Sequence, residues 1–186
     1  MGGPDLRALT ILVVDDNANM RGILSAILKA AGVRRILEAG DGVEGLKMFA
    51  EREVDIIFTD LMMQPVDGLA FVHWVRNSPA SPNPYAPIIM MTGHATRRSL
   101  DEARMAGVTE FLAKPLNARG VMHRINEVIN NPRDFVRVGD YFGPCRRRRI
   151  DHDFTGEERR GAQPVPTVLG GGEADPVYDF DPEEVY

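Results

Sequence analysis

The sequence predicts an α/β protein in which five parallel strands, each followed by a helix, form an open, doubly wound (βα)5 sheet. Three observations support this fold class. Apolar runs alternate with amphipathic segments five times over residues 8–130. The runs are almost continuously apolar, which indicates a parallel sheet with helices on both faces. Five strands are also too few for an eight-stranded barrel, so we expect a functional site beyond the carboxyl ends of an open sheet.

The first two strand–helix pairs follow from a change in apolar period. LTILVVD is the first predicted strand, and RILEA is the second. The helix between them ends before Gly32, a residue suited to the position after a helix. Apolar residues at helical spacing mark this helix and the next one: Met20, Ile23, Leu24, Ile27, Leu28 and Ala31 in the first, and Leu46, Phe49 and Ala50 in the second.

The remaining three pairs follow the same pattern. The predicted strands are VDIIFTD, IIMMT and TEFLAKP, and a proline-rich loop, NSPASPNPYAP, precedes the second of these. The fourth helix is predicted over residues 96–106, with Gly107 ending it. Apolar spacing marks the third and fifth helices: Leu69, Val72 and Val75 in the third, and Val121, Met122, Ile125, Val128 and Ile129 in the fifth.

Composition favours a globular protein that we expect in the cytoplasm. The 186 residues are 44% hydrophobic and 26% charged, enough for one domain with some chain to spare. No apolar run approaches the ~20 residues of a membrane span. The amino terminus, MGGPDLR, lacks the pattern of a signal peptide. The single cysteine, Cys145, excludes an internal disulfide framework.

Residues 131–186 are expected to form a tail with little regular structure. Glycine, proline and charged residues dominate there, and no helical or strand period lasts. The tail contains an arginine cluster at 146–149, whereas residues 161–186 carry six acidic and no basic side chains. The net charge of −5 therefore comes from the end of the chain.

The arginine cluster has two interpretations. It is either a solvated charge run, alone or paired with the acidic end, or a surface that contacts phosphates or an acidic partner. No aromatic residues alternate with the arginines, so we do not expect nucleic acid as a partner. Our hypothesis is that Phe135, Tyr141 and Phe142 fold back onto the preceding domain and that Arg146 to Arg149 contact a partner.

Polar side chains stand at the ends of four predicted strands: Asp15 with Asp16, then Asp60, Thr92 and Lys114. Three carboxylates gathered there would repel one another, by ~4 kcal/mol per pair at 4 Å in an intermediate dielectric. A hard cation such as Mg²⁺ removes that repulsion. Lys114 can then pair with a phosphoryl oxygen, Thr92 can donate a hydrogen bond, and Asp60 can act as a nucleophile toward phosphorus. Paired aspartates after a strand are more often helix caps, so the inference depends on the whole set.

These residues resemble the receiver domain of two-component response regulators, the CheY-like family. The resemblance covers roughly residues 8–130 and includes the motifs VVDDN, DIIFTDLMM, VDG, IIMMTGHA and FLAKPL. It implies a flavodoxin-like fold with strand order 2-1-3-4-5. The tail lacks a helix-turn-helix pattern or a second core, so we expect a stand-alone receiver with an Arg-rich and acidic tail.

The resemblance also implies the role of each site residue. Asp60 would accept a phosphoryl group from a sensor histidine kinase or phosphotransfer protein and become 4-aspartylphosphate. Lys114 would hold a phosphoryl oxygen, and the Lys114–Pro115 bond would be cis. Thr92 and Phe111 would form the switch. The Mg²⁺ ligands would be Asp15, Asp16, Asp60 and the backbone carbonyl of Met62.

The expected output is phosphorylation-gated binding of a downstream protein that the sequence does not identify, with no membrane association. A dimer that forms on phosphorylation is left open. One alternative is a Mg²⁺-dependent aspartyl-phosphate phosphatase; that class places a second acid two residues after the nucleophile, where this chain has Met62. The other is a module that binds partners constitutively, with a nucleic-acid-binding arginine tail. We therefore expect no enzyme beyond slow autodephosphorylation.

Overall fold

Strands and helices alternate from residue 10 to residue 130, as the sequence predicts. The computed structural model describes residues 5–93 and 96–145, together with the backbone of residues 163–165. The strands of the main sheet are β1 (Thr10–Val14), β2 (Arg35–Ala39), β3 (Ile56–Asp60), β4 (Ile88–Thr92) and β5 (Glu110–Ala113). The helices are α1 (Ala18–Ala30), α2 (Gly42–Glu51), α3 (Gly68–Asn77), α4 (Arg97–Ala106) and α5 (Ala118–Asn130).

The main sheet is parallel throughout, and the predicted strand order is confirmed as β2-β1-β3-β4-β5. Every residue of β1, β3 and β4 is buried, which explains their continuous apolar sequences. Strand β2 lies at an edge and buries only Ala39 fully. The chain reverses its direction of winding after β2, so the carboxyl ends of β1 and β3 are neighbours.

Alternate residues of each strand pack into two separate cores. In β1, Leu12 and Val14 face the core beneath α2 and α3, whereas Ile11 and Val13 face the core beneath α1 and α5. This alternation places helices on both faces of the sheet, the doubly wound arrangement that the sequence predicts.

Each helix begins at a residue whose side chain accepts a backbone hydrogen bond from the first turn. The N-cap residues are Asn17, Asp41, Asp67, Thr96 and Asn117. Such caps typically contribute ~1 kcal/mol each. At the other end of α4, Gly107 adopts a left-handed conformation with φ of 102°, as its predicted role in ending that helix requires.

The chain after α5 forms a small antiparallel sheet, which the sequence did not predict. Strand β6 (Phe135–Val138) pairs with β7 (Tyr141–Pro144) on one edge and with β8 (Gln163–Val165) on the other. The prediction of a tail with little regular structure after Asn131 is therefore wrong for these segments. Each strand has only three or four residues, too few for a strand period to be recognised in the sequence. The β6–β7 hairpin is stabilised by packing against the main domain.

Aromatic side chains of the β6–β7 hairpin pack against the main domain. Phe135 and Phe142 are buried, and their ring centroids lie 5.1 and 5.3 Å from that of Tyr85. The predicted fold-back of these two residues is thus confirmed. Tyr141 is half-buried, and its hydroxyl donates to the Pro144 carbonyl within the hairpin.

A buried arginine lies beneath the hairpin. Arg76 of α3 donates hydrogen bonds to the backbone carbonyls of Pro84, Ala86 and Gly107, and its guanidinium lies 5.0 Å from the Phe135 ring centroid. Burial lowers the pKa of Arg76 to about 9. These carbonyls lie just before β4 and β5 begin, so the hairpin packs at the end of the sheet opposite the strand carboxyl ends.

The arginine cluster at 146–149 and the acidic segment 166–186 lie outside the described residues. Within 5–93 and 96–145, no helix is long and apolar enough to cross a membrane.

Candidate functional site

The polar residues singled out from the sequence converge at one edge of the main sheet. Asp15 follows β1, Asp60 ends β3 and Thr92 ends β4, while Lys114 follows β5. Strand register aligns these ends, because Asp60 pairs with Met91 and Thr92 pairs with Ala113. The parallel topology therefore brings side chains that are far apart in sequence into one pocket.

Three carboxylates form the centre of this pocket. One oxygen from each of Asp15, Asp16 and Asp60 lies within 4.8 Å of the others. Asp15 and Asp60 are buried, whereas Asp16 is exposed, so the cluster opens to solvent on one side. Hard oxygen donors at this spacing, with room for water ligands, fit a divalent cation such as Mg²⁺.

Lys114 bridges the two buried carboxylates. Its ammonium lies 2.9 Å from an oxygen of Asp15 and 2.9 Å from an oxygen of Asp60. Its backbone N–H donates to the Thr92 carbonyl at 2.8 Å, which joins β5 to the end of β4. The Lys114–Pro115 bond is cis, the isomer that the resemblance implies.

The environment changes the pKa of both members of this ion pair. Burial raises the pKa of Asp60; Lys114 and the Leu61 N–H oppose the rise while Asp15 adds to it, and the net pKa is above its ordinary value. Burial alone would lower the pKa of Lys114, but hydrogen bonds and charge from Asp15 and Asp60 raise it above its ordinary value. A partly desolvated carboxylate beside another carboxylate is a strained arrangement that an added cation would relieve.

Replacing Asp60 with asparagine is expected to stabilise the metal-free protein at pH 7. The raised pKa of Asp60 means that its protonated form favours folding. That stability is complete below the unfolded-state pKa and is lost as the pH rises through the folded-state pKa. In urea unfolding with EDTA, the free energy of unfolding of Asp60→Asn should therefore exceed that of wild type at pH 7, and the difference should disappear toward pH 3. The exposed Asp140→Asn is the control, and a difference independent of pH would contradict the assignment.

The other predicted residues occupy different environments around the pocket. Thr92 is buried, whereas Met62, two residues after Asp60, is 76% exposed. Phe111 is half-buried, packs against the core beneath α2 and α3, and lies 5.7 Å from the Arg104 guanidinium. Phe111 therefore lies on β5, the strand that leads into Lys114, and packs into the core.

Two residues that shape the pocket were missed from the sequence. Arg21 of α1 donates from Nη1 to the Asp15 carbonyl at 2.7 Å. The position of Arg21 in the first turn of α1 could have been noticed in the sequence. A positive charge there interacts unfavourably with the helix dipole, which suggests that the side chain binds another group. Gly68 packs so closely on Asp60 that a Cβ there would lie 2.1 Å from the Asp60 carbonyl oxygen. Nothing in the local sequence reports that close approach.

Comparisons with known proteins agree with this geometry. A family model described as the response regulator receiver domain matches residues 11–126. A probable chemotaxis protein CheY of Rhizobium etli is 31% identical over 120 residues, covering 64% of this chain and 92% of that protein. The chemotaxis protein CheY of Pseudomonas aeruginosa is also 31% identical over 120 residues, covering 64% of this chain and 95% of that protein.

Solved structures show the same similarity. Chemotaxis protein CheY4 of Vibrio cholerae has a TM-score of 0.60 and 29% identity, covering 65% of this chain and 98% of that one. The receiver domain of the sensor histidine kinase PA1611 of Pseudomonas aeruginosa has a TM-score of 0.56 and 27% identity, covering 64% of this chain and 94% of that one. In that structure a magnesium ion is coordinated in the active-site cleft.

Proposed function

This chain belongs to the response regulator receiver family and is a two-component phosphoacceptor, and from this premise we propose that Asp60 is the residue that accepts the phosphoryl group. The observation that carries the proposal is the position of Asp60. It is the one carboxylate of the cluster that ends a central strand, it is buried, and it shares the ammonium of Lys114 with a second buried carboxylate, Asp15.

The residues around Asp60 can perform the transfer. An Asp60 carboxylate oxygen attacks phosphorus in a phosphohistidine, the P–N bond breaks, and the departing imidazole retains the bonding electron pair and takes a proton. One Asp60 oxygen already accepts the Leu61 N–H at 2.8 Å, which fixes the plane of the carboxylate. Lys114 has three N–H donors, so it can pair with a phosphoryl oxygen when Asp60 is modified. Catalysis in such a site is mainly positioning and charge stabilisation.

Asp15, Asp16, Asp60 and the backbone carbonyl of Met62 are the proposed ligands of Mg²⁺. The spacing of the three carboxylates supports this assignment. When bound, the cation would offset the negative charge of the carboxylates and of the incoming phosphoryl group. Asp16, as the exposed member, faces the side from which a hydrated cation would enter.

Thr92 and Phe111 are the proposed switch residues. Thr92 ends β4, and the bond from the Lys114 N–H to its carbonyl ties it to the lysine that would contact the phosphoryl group. Phe111 lies on β5 three residues before that lysine, and its ring contacts the Arg104 side chain of α4. A change at Lys114 therefore has a short physical route to α4.

The proposed receiver domain comprises residues 8–130, and the β6–β7 hairpin is an extension packed on it. The proposed phosphodonor is a sensor histidine kinase or phosphotransfer protein in the cytoplasm, and the proposed output is phosphorylation-gated binding of another protein. The chain would act as a signalling switch, with at most slow autodephosphorylation rather than turnover of a separate substrate.

Phosphorylation with a small phosphodonor tests the assignment. Incubating the full chain with acetyl phosphate and Mg²⁺ is expected to raise its intact mass by one phosphoryl group. Asp60→Asn should show no increase, because an amide oxygen is a poor nucleophile. Replacing Mg²⁺ with EDTA in the reaction should strongly reduce the fraction of wild-type protein that shows the mass increase. Phosphorylation that persists in Asp60→Asn would contradict the choice of Asp60, and the Asp140→Asn control should behave as wild type.

A further inference from the structure

The two adjacent aspartates of the pocket are held in very different ways. Asp15 is fully buried and its carboxylate has two partners, the backbone N–H of Asn17 at 2.9 Å and Lys114 at 2.9 Å. The Asp16 carboxylate is exposed and accepts no hydrogen bond from any residue in 5–93 or 96–145. The direction of the Asp16 side chain therefore depends on the backbone that carries it.

That backbone is held by Arg21. Its Nη1 donates to the Asp15 carbonyl at 2.7 Å, and this carbonyl belongs to the peptide unit that joins Asp15 to Asp16. The Asp15 N–H is fixed from the other side by the Ala39 carbonyl at 3.3 Å. Orienting this peptide plane restricts the direction of the bond from Cα to Cβ of Asp16, because only the φ dihedral of Asp16 separates them.

Arg21 is itself positioned by two secondary-structure elements. Its Nε lies 4.0 Å from one carboxylate oxygen of Glu38 on β2, and the other oxygen of Glu38 accepts the Ser25 hydroxyl of α1 at 2.7 Å. The guanidinium also lies beside Gly40, where a Cβ would be 3.8 Å from Arg21 Nη1, an ordinary contact distance. Arg21 is thus a planar donor fixed between α1 and β2 and directed at the Asp15–Asp16 peptide.

We infer that Arg21 is a positioning residue for the cation site, which it serves by holding the Asp15–Asp16 peptide so that the Asp16 carboxylate points at the shared centre. The inference rests on the proposed Mg²⁺ site. Its logic is a competition between two effects. A guanidinium beside a cation site lowers cation affinity by charge repulsion, whereas a preorganised ligand raises it. The inference takes preorganisation as the larger effect, because Arg21 donates directly to the peptide that carries Asp16.

Calorimetric titration with Mg²⁺ separates these effects in the full chain. Arg21→Lys keeps the charge but loses the planar donor, and Arg21→Gln loses both. Both are expected to bind Mg²⁺ about 10-fold more weakly than wild type. Glu38→Gln should shift affinity in the same direction by less. Arg34→Gln is the matched control, because Arg34 is exposed and precedes the same strand.

A second readout tests that the effect is specific to the cation. In acetyl phosphate reactions, the Mg²⁺ concentration for half-maximal rate should rise in Arg21→Lys, while the rate at saturating Mg²⁺ should match wild type. Urea unfolding in EDTA should give each variant a cooperative transition like that of wild type, which shows that the metal-free variants are folded. Tighter Mg²⁺ binding by Arg21→Gln, or affinities equal to wild type in both variants, would overturn the inference and leave the proposed function intact. A wild-type protein that binds no Mg²⁺ would instead overturn the proposed metal site, and the inference with it.

Discussion

Replacing Gly68 with alanine is expected to lower the free energy of unfolding by about 3 kcal/mol or more and to abolish phosphorylation of Asp60. The added Cβ would lie 2.1 Å from the Asp60 carbonyl oxygen and 3.0 Å from the Leu61 Cα. Both contacts are with backbone, so no side-chain rotation relieves them. The only relief is displacement of α3 or of the end of β3, and β3 carries the proposed nucleophile.

The control is another glycine replaced by the same residue. Gly22 lies inside α1, and a Cβ there meets nothing within 4 Å. Gly22→Ala should therefore stabilise the protein, by about 0.5–1 kcal/mol, through helix propensity alone. Urea unfolding gives both free energies, and intact mass after acetyl phosphate treatment gives phosphorylation. A Gly68→Ala protein with wild-type stability and phosphorylation would show that the loop from Asp60 to Gly68 adjusts without effect on the site.

Replacing Phe142 with alanine is expected to cost about 3 kcal/mol, although the residue follows the receiver domain. The Phe142 ring lies 5.3 and 5.5 Å from the ring centroids of Tyr85 and Phe135, and only 4% of the residue is exposed. Truncation removes the ring contacts of Phe142 with Tyr85 and with Phe135. It also opens to solvent the surface that covers the buried guanidinium of Arg76.

Val138→Ala is the matched control for this prediction. Val138 lies on the same hairpin but is 37% exposed, so its truncation should change stability by less than about 0.5 kcal/mol. Thermal or urea unfolding of the full chain provides the comparison. Equal stabilities for the two variants would mean that the hairpin contributes little to the folded state.

The positions of the strand ends could be predicted from sequence because burial leaves a strong signal. β1, β3 and β4 are buried on both faces, so their sequences are apolar until the chain reaches the pocket, where Asp15, Asp60 and Thr92 interrupt the run. The polar interruptions mark both the strand ends and the residues that converge. The topology then determines which of them meet.

Contacts made by backbone atoms could not be predicted in the same way. Arg21 recognises a carbonyl group, Gly68 leaves space for one, and Arg76 binds three. Since every residue has a backbone carbonyl, the residue type at the contacted position does not reveal that the contact exists. The β6–β7 hairpin was missed for a related reason. Its strands are four residues long, and the surface that stabilises them comes from Tyr85 and Arg76, about 50 and 60 residues before Phe135 in the chain.

The β6–β7 hairpin occupies the end of the main sheet opposite the carboxylates. The Cys145 N–H donates to the Asp134 carbonyl at 2.6 Å, and the hairpin that these residues flank packs on Tyr85 and Gly107, just before β4 and β5 begin. The carboxylates lie at the carboxyl ends of β1 and β3, the opposite end of the same parallel sheet, roughly 15 Å away at ~3.3 Å per residue. A protein that bound the β6–β7 hairpin itself would therefore leave the entrance to Asp60 clear, so the two ends of the sheet are separate surfaces.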